Sequence, residues 1–211
     1  MFGGSSATLN GQDAVYTFER PKTTRKTFIK GSMFAPVPAF TRQYLGADGW
    51  EAFLERLDPL SAQVMKSEFV ALAWYPFSVI ADVARCVELT GKAFGKTNPL
   101  SDLAHASLET TTRGIFRAIF KIGSPEFMIS RADQVWRKFF SNGEMSTKIT
   151  SRGHATVQLR GMPDMTTPYS VSVLHTLEGV ISKSGGRITV AEMTQDLGRG
   201  DDCSEYTYRW T

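Results

Sequence analysis

The hydrophobic period of this chain changes once. Up to about residue 140 apolar side chains recur every three or four positions, the spacing of one helix face. From Met145 onward they mostly alternate, the spacing of strands, with one helical stretch between. A strand run must bury one face against something, and here a block of helices precedes it. The predicted fold class is therefore α+β: an N-terminal helical half followed by a four-stranded antiparallel sheet (β-β-α-β-β) packed with helices.

In the helical half, Pro36 and Pro38 delay a first helix to about residue 38. Asp48 is a candidate N-cap for a second, with Trp50, Phe53, Leu54 and Leu57 on its apolar face. A short helix follows Pro59, and Trp74-Tyr75-Pro76 introduces a helix over 77–91 that buries Phe77, Ile80, Ala84, Val87 and Leu89. A long helix is predicted from Ser101 to about Lys121. Another runs from Ser124, an N-cap followed by Pro125, to Phe140, with Phe127, Val135 and Trp136 on its buried face. Asn142-Gly143 ends it. Strands are then predicted at 145–150 and 154–160 around the turn Arg152-Gly153, a helix at 168–183, and strands at 187–194 and 204–210. Residues 1–28 read as a flexible leader, with one short edge strand at 14–19, and 29–211 as a single domain.

Composition narrows the class. The chain has 211 residues, 42% of them hydrophobic, and 14 Phe and 4 Trp put much of the core into rings. A net charge of +3 gives no field that calls for nucleic acid. The cluster Arg20-Pro21-Lys22-Thr23-Thr24-Arg25-Lys26 reads as a solvated leader. No secretory signal is visible at the start, and the longest apolar stretch, Phe69 to Ile80, is interrupted by Pro76, so no membrane insertion is predicted and the cytoplasm is the expected location. Cys86 and Cys203 form no CxxC pair and read as small buried thiols.

Particular residues add a resemblance. Lys30-Gly31-Ser32-Met33-Phe34, then Phe40, Tyr44-Leu45-Gly46 and Gly49-Trp50, resemble the opening of heme nitric oxide/oxygen-binding domains and their heme-free relatives. Trp74-Tyr75-Pro76 resembles an S-W-Y-P element of an uncharacterised bacterial paralogous family in that superfamily. Gly198-Arg199-Gly200-Asp201-Asp202-Cys203-Ser204-Glu205-Tyr206 resembles the Gly-rich ending of 4-vinyl-reductase-type ligand-binding domains. The likeness spans about residues 28–211. It implies a helical subdomain packed on a curved antiparallel sheet, with a ligand cavity between them. Members of the superfamily include gas sensors, small-molecule sensors and vesicle-tethering subunits that hold an acyl chain. The gas-sensing branch needs an axial His on a helix and a Tyr-x-Ser-x-Arg clamp for the heme propionates. His105 lies on a suitable helix, but the clamp is missing; Tyr169-Ser170-Val171-Ser172 begins like it and lacks the Arg.

No cofactor is therefore expected, and no catalytic or metal residue is assigned: His105, His154 and His175 lack partners at ligand spacing, and nothing pairs a nucleophile with a base. Gly198–Asp202 precedes a strand, not a helix, and reads as a turn with glycines at positive φ rather than a phosphate cradle. Arg113, Arg117 and Lys121 recur at four-residue spacing and form one helix stripe, a candidate partner-binding patch. Trp74, Phe77, Phe116 and Trp136 are candidates for lining an apolar pocket. The chain reads as a non-enzymatic signalling or scaffolding module acting by protein–protein contact or self-association. The alternative is a sensor holding a small apolar ligand or lipid between helices and sheet.

Overall fold

A computed structural model describes residues 6–7, 16–22, 25–111 and 123–211. The strands are β1 (Ser6–Ala7), β2 (Tyr16–Thr17), β3 (Phe28–Lys30), β4 (Trp74–Pro76), β5 (Glu144–Ser151), β6 (His154–Arg160), β7 (Ile188–Gln195) and β8 (Ser204–Trp210). The helices are α1 (Val37–Arg56), α2 (Pro59–Lys66), α3 (Phe77–Ala93), α4 (Pro99–Thr111), α5 (Pro125–Ile129), α6 (Ala132–Phe139) and α7 (Thr167–Lys183). The fold is α+β. The strands β5–β8 form an antiparallel sheet in the order β5-β6-β8-β7, with α7 crossing between β6 and β7.

The alternation seen in the sequence becomes the two faces of this sheet. Ala155, Val157 and Leu159 on β6 and Tyr206 and Tyr208 on β8 are buried on the inner face. Tyr169, Val173, Leu177 and Ile181 of α7 are buried in the same core. The hairpin turn falls at Gly153, where φ is +76° and an added Cβ would meet the Trp210 carbonyl at 2.3 Å.

The helical half departs from expectation in three places. First, the two helices predicted before Leu57 run on as α1, kinked at Gly46, whose φ of +74° only glycine adopts easily. Asp48 makes no capping bond there. Second, the helix predicted from Ser124 to Phe140 breaks into α5 and α6. Ser130 Oγ donates to the Phe127 carbonyl, and Thr147 Oγ1 on β5 donates to the Ile129 carbonyl. Both bonds take carbonyls that a continuous ladder would use. The break changes which sides face inward, so Phe127 and Val135, predicted buried, are about half exposed. Leu89 on α3 is likewise exposed rather than internal. Third, Trp74–Pro76 is not merely a lead-in to a helix. As β4 it is the centre of a second small sheet, order β1-β2-β4-β3.

That small sheet ties the N-terminal segment to the domain. Tyr16–Thr17 falls inside the stretch predicted as an edge strand, and Thr17 pairs with Trp74. Thr27 is buried, and both its N–H and its hydroxyl donate to Asp164. Phe28 N–H donates to Ser141 Oγ, and Ile29 bridges Phe140. Gly31 is required because a Cβ there would lie 2.3 Å from the Val70 carbonyl oxygen. Within the predicted leader, residues 1–5, 8–15 and 23–24, and farther on the stretch 112–122, lie outside the described residues.

Candidate functional site

The helical half and the sheet meet at a cluster of rings. Phe77 opens α3 directly after Pro76, and its N–H donates to the Thr27 carbonyl at 2.9 Å, which fixes the ring at the base of the helical half. Tyr169 sits in the first turn of α7 and meets Phe77 edge-on, with centroids 4.8 Å apart. Phe140 follows α6, lies 6.4 Å from Phe77 and 6.3 Å from Tyr169, and stacks on Trp136 at 3.7 Å. Trp136 Nε1 donates to the Asn142 carbonyl at 3.0 Å, so the indole's polar edge is satisfied while its face packs. All four rings are buried. Burial raises the Tyr169 phenol above its ordinary pKa, aided by nearby Tyr206, so the hydroxyl stays protonated, a neutral donor in an apolar wall.

Of the four residues predicted to line a pocket, the structure brings together Phe77 and Trp136, joined by Phe140. Trp74 faces away from this cluster, beneath the cations Arg20 and Lys30. Phe116 lies outside the described residues, as do Arg113, Arg117 and Lys121. The sequence reading missed Phe140 and Tyr169 as site residues. Tyr169 was visible as the first apolar residue of its helix; nothing local marks Phe140.

The other candidate groups are held in structural roles. Cys86 is buried and faces the Arg56 carbonyl and Asp82; burial, with the Asp82 carboxylate, pushes its thiol up to about 12. Cys203 is buried and donates to Gln195. His175 Nδ1 lies 2.8 Å from Glu178 Oε2 on the same helix. His154 begins β6 opposite Arg209. Among the described residues no group of three His, Cys, Asp or Glu is placed to hold a metal ion. An open cleft of about 400 Å³ lies at the α1 kink, lined by Arg42, Gly46, Ala47, Asp48, Trp50 and Glu51.

The glycine-rich turn proves to have a tertiary role. Gly200 has φ +97°, as a turn requires, but Gly198 packs on the start of α7: a Cβ there would lie 2.2 Å from Thr167 N. Asp196, buried beside it, accepts from Gly198 N–H and Thr167 Oγ1. The loop thus does meet a helix N-terminus, that of α7 rather than of the element following it, and the loop's own backbone and carboxylate occupy the place.

Comparison with solved structures identifies this architecture. An H-NOX protein from S. oneidensis in the Fe(II)NO state superposes with TM-score 0.63 at 9% identity, covering 87% of this chain and 99% of that one. The Fe(II) unliganded H-NOX protein from K. algicida gives 0.64 at 9% identity, covering 87% and 97%. An oxygen-binding H-NOX domain related to soluble guanylate cyclases gives 0.59 at 13%, covering 87% and 94%.

The chain has an H-NOX-like fold.

No family model and no curated protein matches it in sequence. The H-NOX-like fold raises the question of a heme on His105. His105 points at α7, where a Cβ on Gly179 would lie 3.0 Å from its Cδ2 and 3.4 Å from its Nε2. Its Nδ1 lies 3.4 Å from Ser101 Oγ. The nitrogen that would take iron therefore faces α7 at Gly179, where even a methyl group would touch it. Ser170, in the clamp-like segment, is buried against Ser204 Oγ at 3.3 Å, and Val173 fills the position where the clamp has its Arg. The residues present do not fit a heme on His105.

Proposed function

We propose that this chain is a non-enzymatic sensor module that uses an H-NOX-like fold without heme, taking a small apolar ligand at the junction of helices and sheet and passing the signal by contact with a protein partner. The observation that carries the reading is the ring cluster of Phe77, Phe140, Trp136 and Tyr169, an apolar wall with a single neutral hydroxyl where the two layers meet. Ligand sites combine such walls with few polar groups. The solved H-NOX structures, one in an Fe(II)NO state and one an oxygen-binding domain, support ligand binding as a use of this fold. The packing of His105 on Gly179 supports a ligand other than heme. Both thiols are buried, with pKa values raised chiefly by burial, which supports the absence of a cysteine nucleophile.

Native mass spectrometry of the purified chain tests this. The expected result is a small-molecule adduct, lost on denaturation and lost or weakened in Phe140→Ala. An adduct-free protein that no apolar ligand stabilises against heating would overturn it. The purified protein should also be colourless and take up no stoichiometric hemin. A sharp Soret band that vanishes in His105→Ala would contradict the heme-free part alone.

The contact half of the proposal rests on sequence spacing. Arg113, Arg117 and Lys121, four residues apart, suit an acidic partner. Reversing all three to Glu should leave the melting curve nearly unchanged and weaken partner binding most at low salt. Normal binding by the triple variant at low salt would remove this stripe from the interface.

A further inference from the structure

The basic segment between β2 and α1 has no part in the function proposed above. From Arg20 to Ala47 the chain carries no Asp or Glu. Two of its cations are gathered on one ring. Arg20 Cζ lies 5.7 Å, and Lys30 Nζ 5.1 Å, from the centroid of Trp74. The backbone explains both positions. Lys30 on β3 stands directly opposite Trp74 on β4, which puts the two side chains on one face of the sheet. Arg20 is steered there by a bond from its Nη2 to the Phe140 carbonyl at 3.1 Å.

Two positive groups held against one indole by its ring electrons keep their full charge, which an external anion can answer. Among the described residues neither Arg20 nor Lys30 has a carboxylate within ion-pair distance. Glu19 is exposed beside them in the chain, and Asp164 is engaged by Thr27. Lys22 and Arg25 add exposed charge on the same segment. Trp74 itself is buried and forms a rigid floor. The geometry points to an oxyanion site on this floor, with the Arg20 fork and the Lys30 ammonium as donors, for a phosphate group. A phosphate monoester carries close to two negative charges, enough to balance both cations, where a carboxylate balances one. Its oxygens also suit a planar fork and a point charge approaching from different directions.

The test uses the full chain, inorganic pyrophosphate as the soluble probe, and phosphatidylcholine vesicles with and without a phosphoinositide. Calorimetry should show pyrophosphate binding that weakens with salt and falls about tenfold or more in Arg20→Gln and in Lys30→Gln, with Arg20→Lys falling less than Arg20→Gln because it keeps the charge and loses the fork. Pyrophosphate binding without vesicle binding assigns the site to soluble phosphate compounds. Phosphoinositide-dependent vesicle binding, lost in the same variants, assigns it to lipid headgroups. If the wild type binds neither probe, or if both Gln variants bind as it does, the site does not exist. Should Arg20→Gln fail to fold, Lys30→Met decides alone, since among the described residues the Lys30 side chain makes no hydrogen bond and its backbone pairing is kept. Arg20 also holds the carbonyl of Phe140 in the ring cluster, so Lys30→Gln, which leaves that bond in place, is the variant that separates this site from the apolar-ligand site.

Discussion

Glycines at close backbone contacts set the tolerances of this molecule residue by residue. Gly198 and Gly31 each lie where a Cβ would meet rigid backbone, Thr167 N and the Val70 carbonyl oxygen respectively. Gly198→Ala is expected to cost about 1–3 kcal/mol, the range of overpacking, read as a lower Tm. Gly179 meets only side-chain ends of Leu108 and His105, so Gly179→Ala should cost less. Equal losses for both would mean that neighbouring side chains cannot yield. Tyr206 makes the opposite case. Its ring is fully buried in the sheet core, and its hydroxyl sits beside Ser204 and Ser170 without a well-formed hydrogen bond to either. Tyr206→Phe should therefore change Tm little, because it removes a buried hydroxyl with only weak partners and opens no cavity. A drop in Tm of several degrees would show that the hydroxyl is bonded in solution, with a buried water as its partner.

Among the elements, the sheet β5–β8 carries the clearest pH dependence. On its outer face Glu205 accepts from Gln158 Nε2 at 2.6 Å and Thr194 Oγ1 at 2.7 Å. These bonds hold its carboxyl below the usual range. A folded value below the unfolded one, about 4.3 for Glu, means the contribution is complete above that pH and lost as pH falls through the folded value. Glu205→Gln should flatten the acid limb of a plot of Tm against pH; an unaltered limb would show the bonds to be absent. The small sheet rests on a different element. Trp74 on β4 is buried beneath two cations, and Trp74→Ala should cost roughly 3–5 kcal/mol. An unchanged Tm would show that this sheet is dispensable and would also remove the floor of the oxyanion site. Helix α7 is legible at both scales. Its extent was predicted from spacing at 168–183, while its contact with the Gly198 loop joins residues some thirty positions apart, which no window of sequence contains.

For the molecule as a whole, the ring cluster decides whether the two halves melt together. Phe77 belongs to the helical half, Phe140 and Trp136 to the connection, and Tyr169 to the helix on the sheet. Phe140→Ala should lower a single cooperative transition by about 3–5 kcal/mol. Two separated transitions in the variant would show that these rings are the main bond between the halves. The same cluster is the ligand site proposed here, so the variant's stability must be known before its ligand affinity is interpreted.

What the sequence determined by itself was periodic and local. The change from a spacing of 3.6 to one of 2 is a property of consecutive residues, and it set the class, the four strands of the main sheet and the helix between them, most within one or two residues of their observed ends. Gly153 and Gly200 were legible as turns for the same reason, since a positive φ is a demand on one residue. What only the tertiary structure decided was every relation between distant segments. The break after Ile129 depends on a hydroxyl from β5, the second sheet on strands too short to show a period, and the packing of His105 on a glycine seventy-odd residues later. The physical reason is common to all three. Secondary structure follows from bonds and side-chain directions along one stretch of chain, whereas a site is a set of distances between stretches, and those exist only once the core has packed.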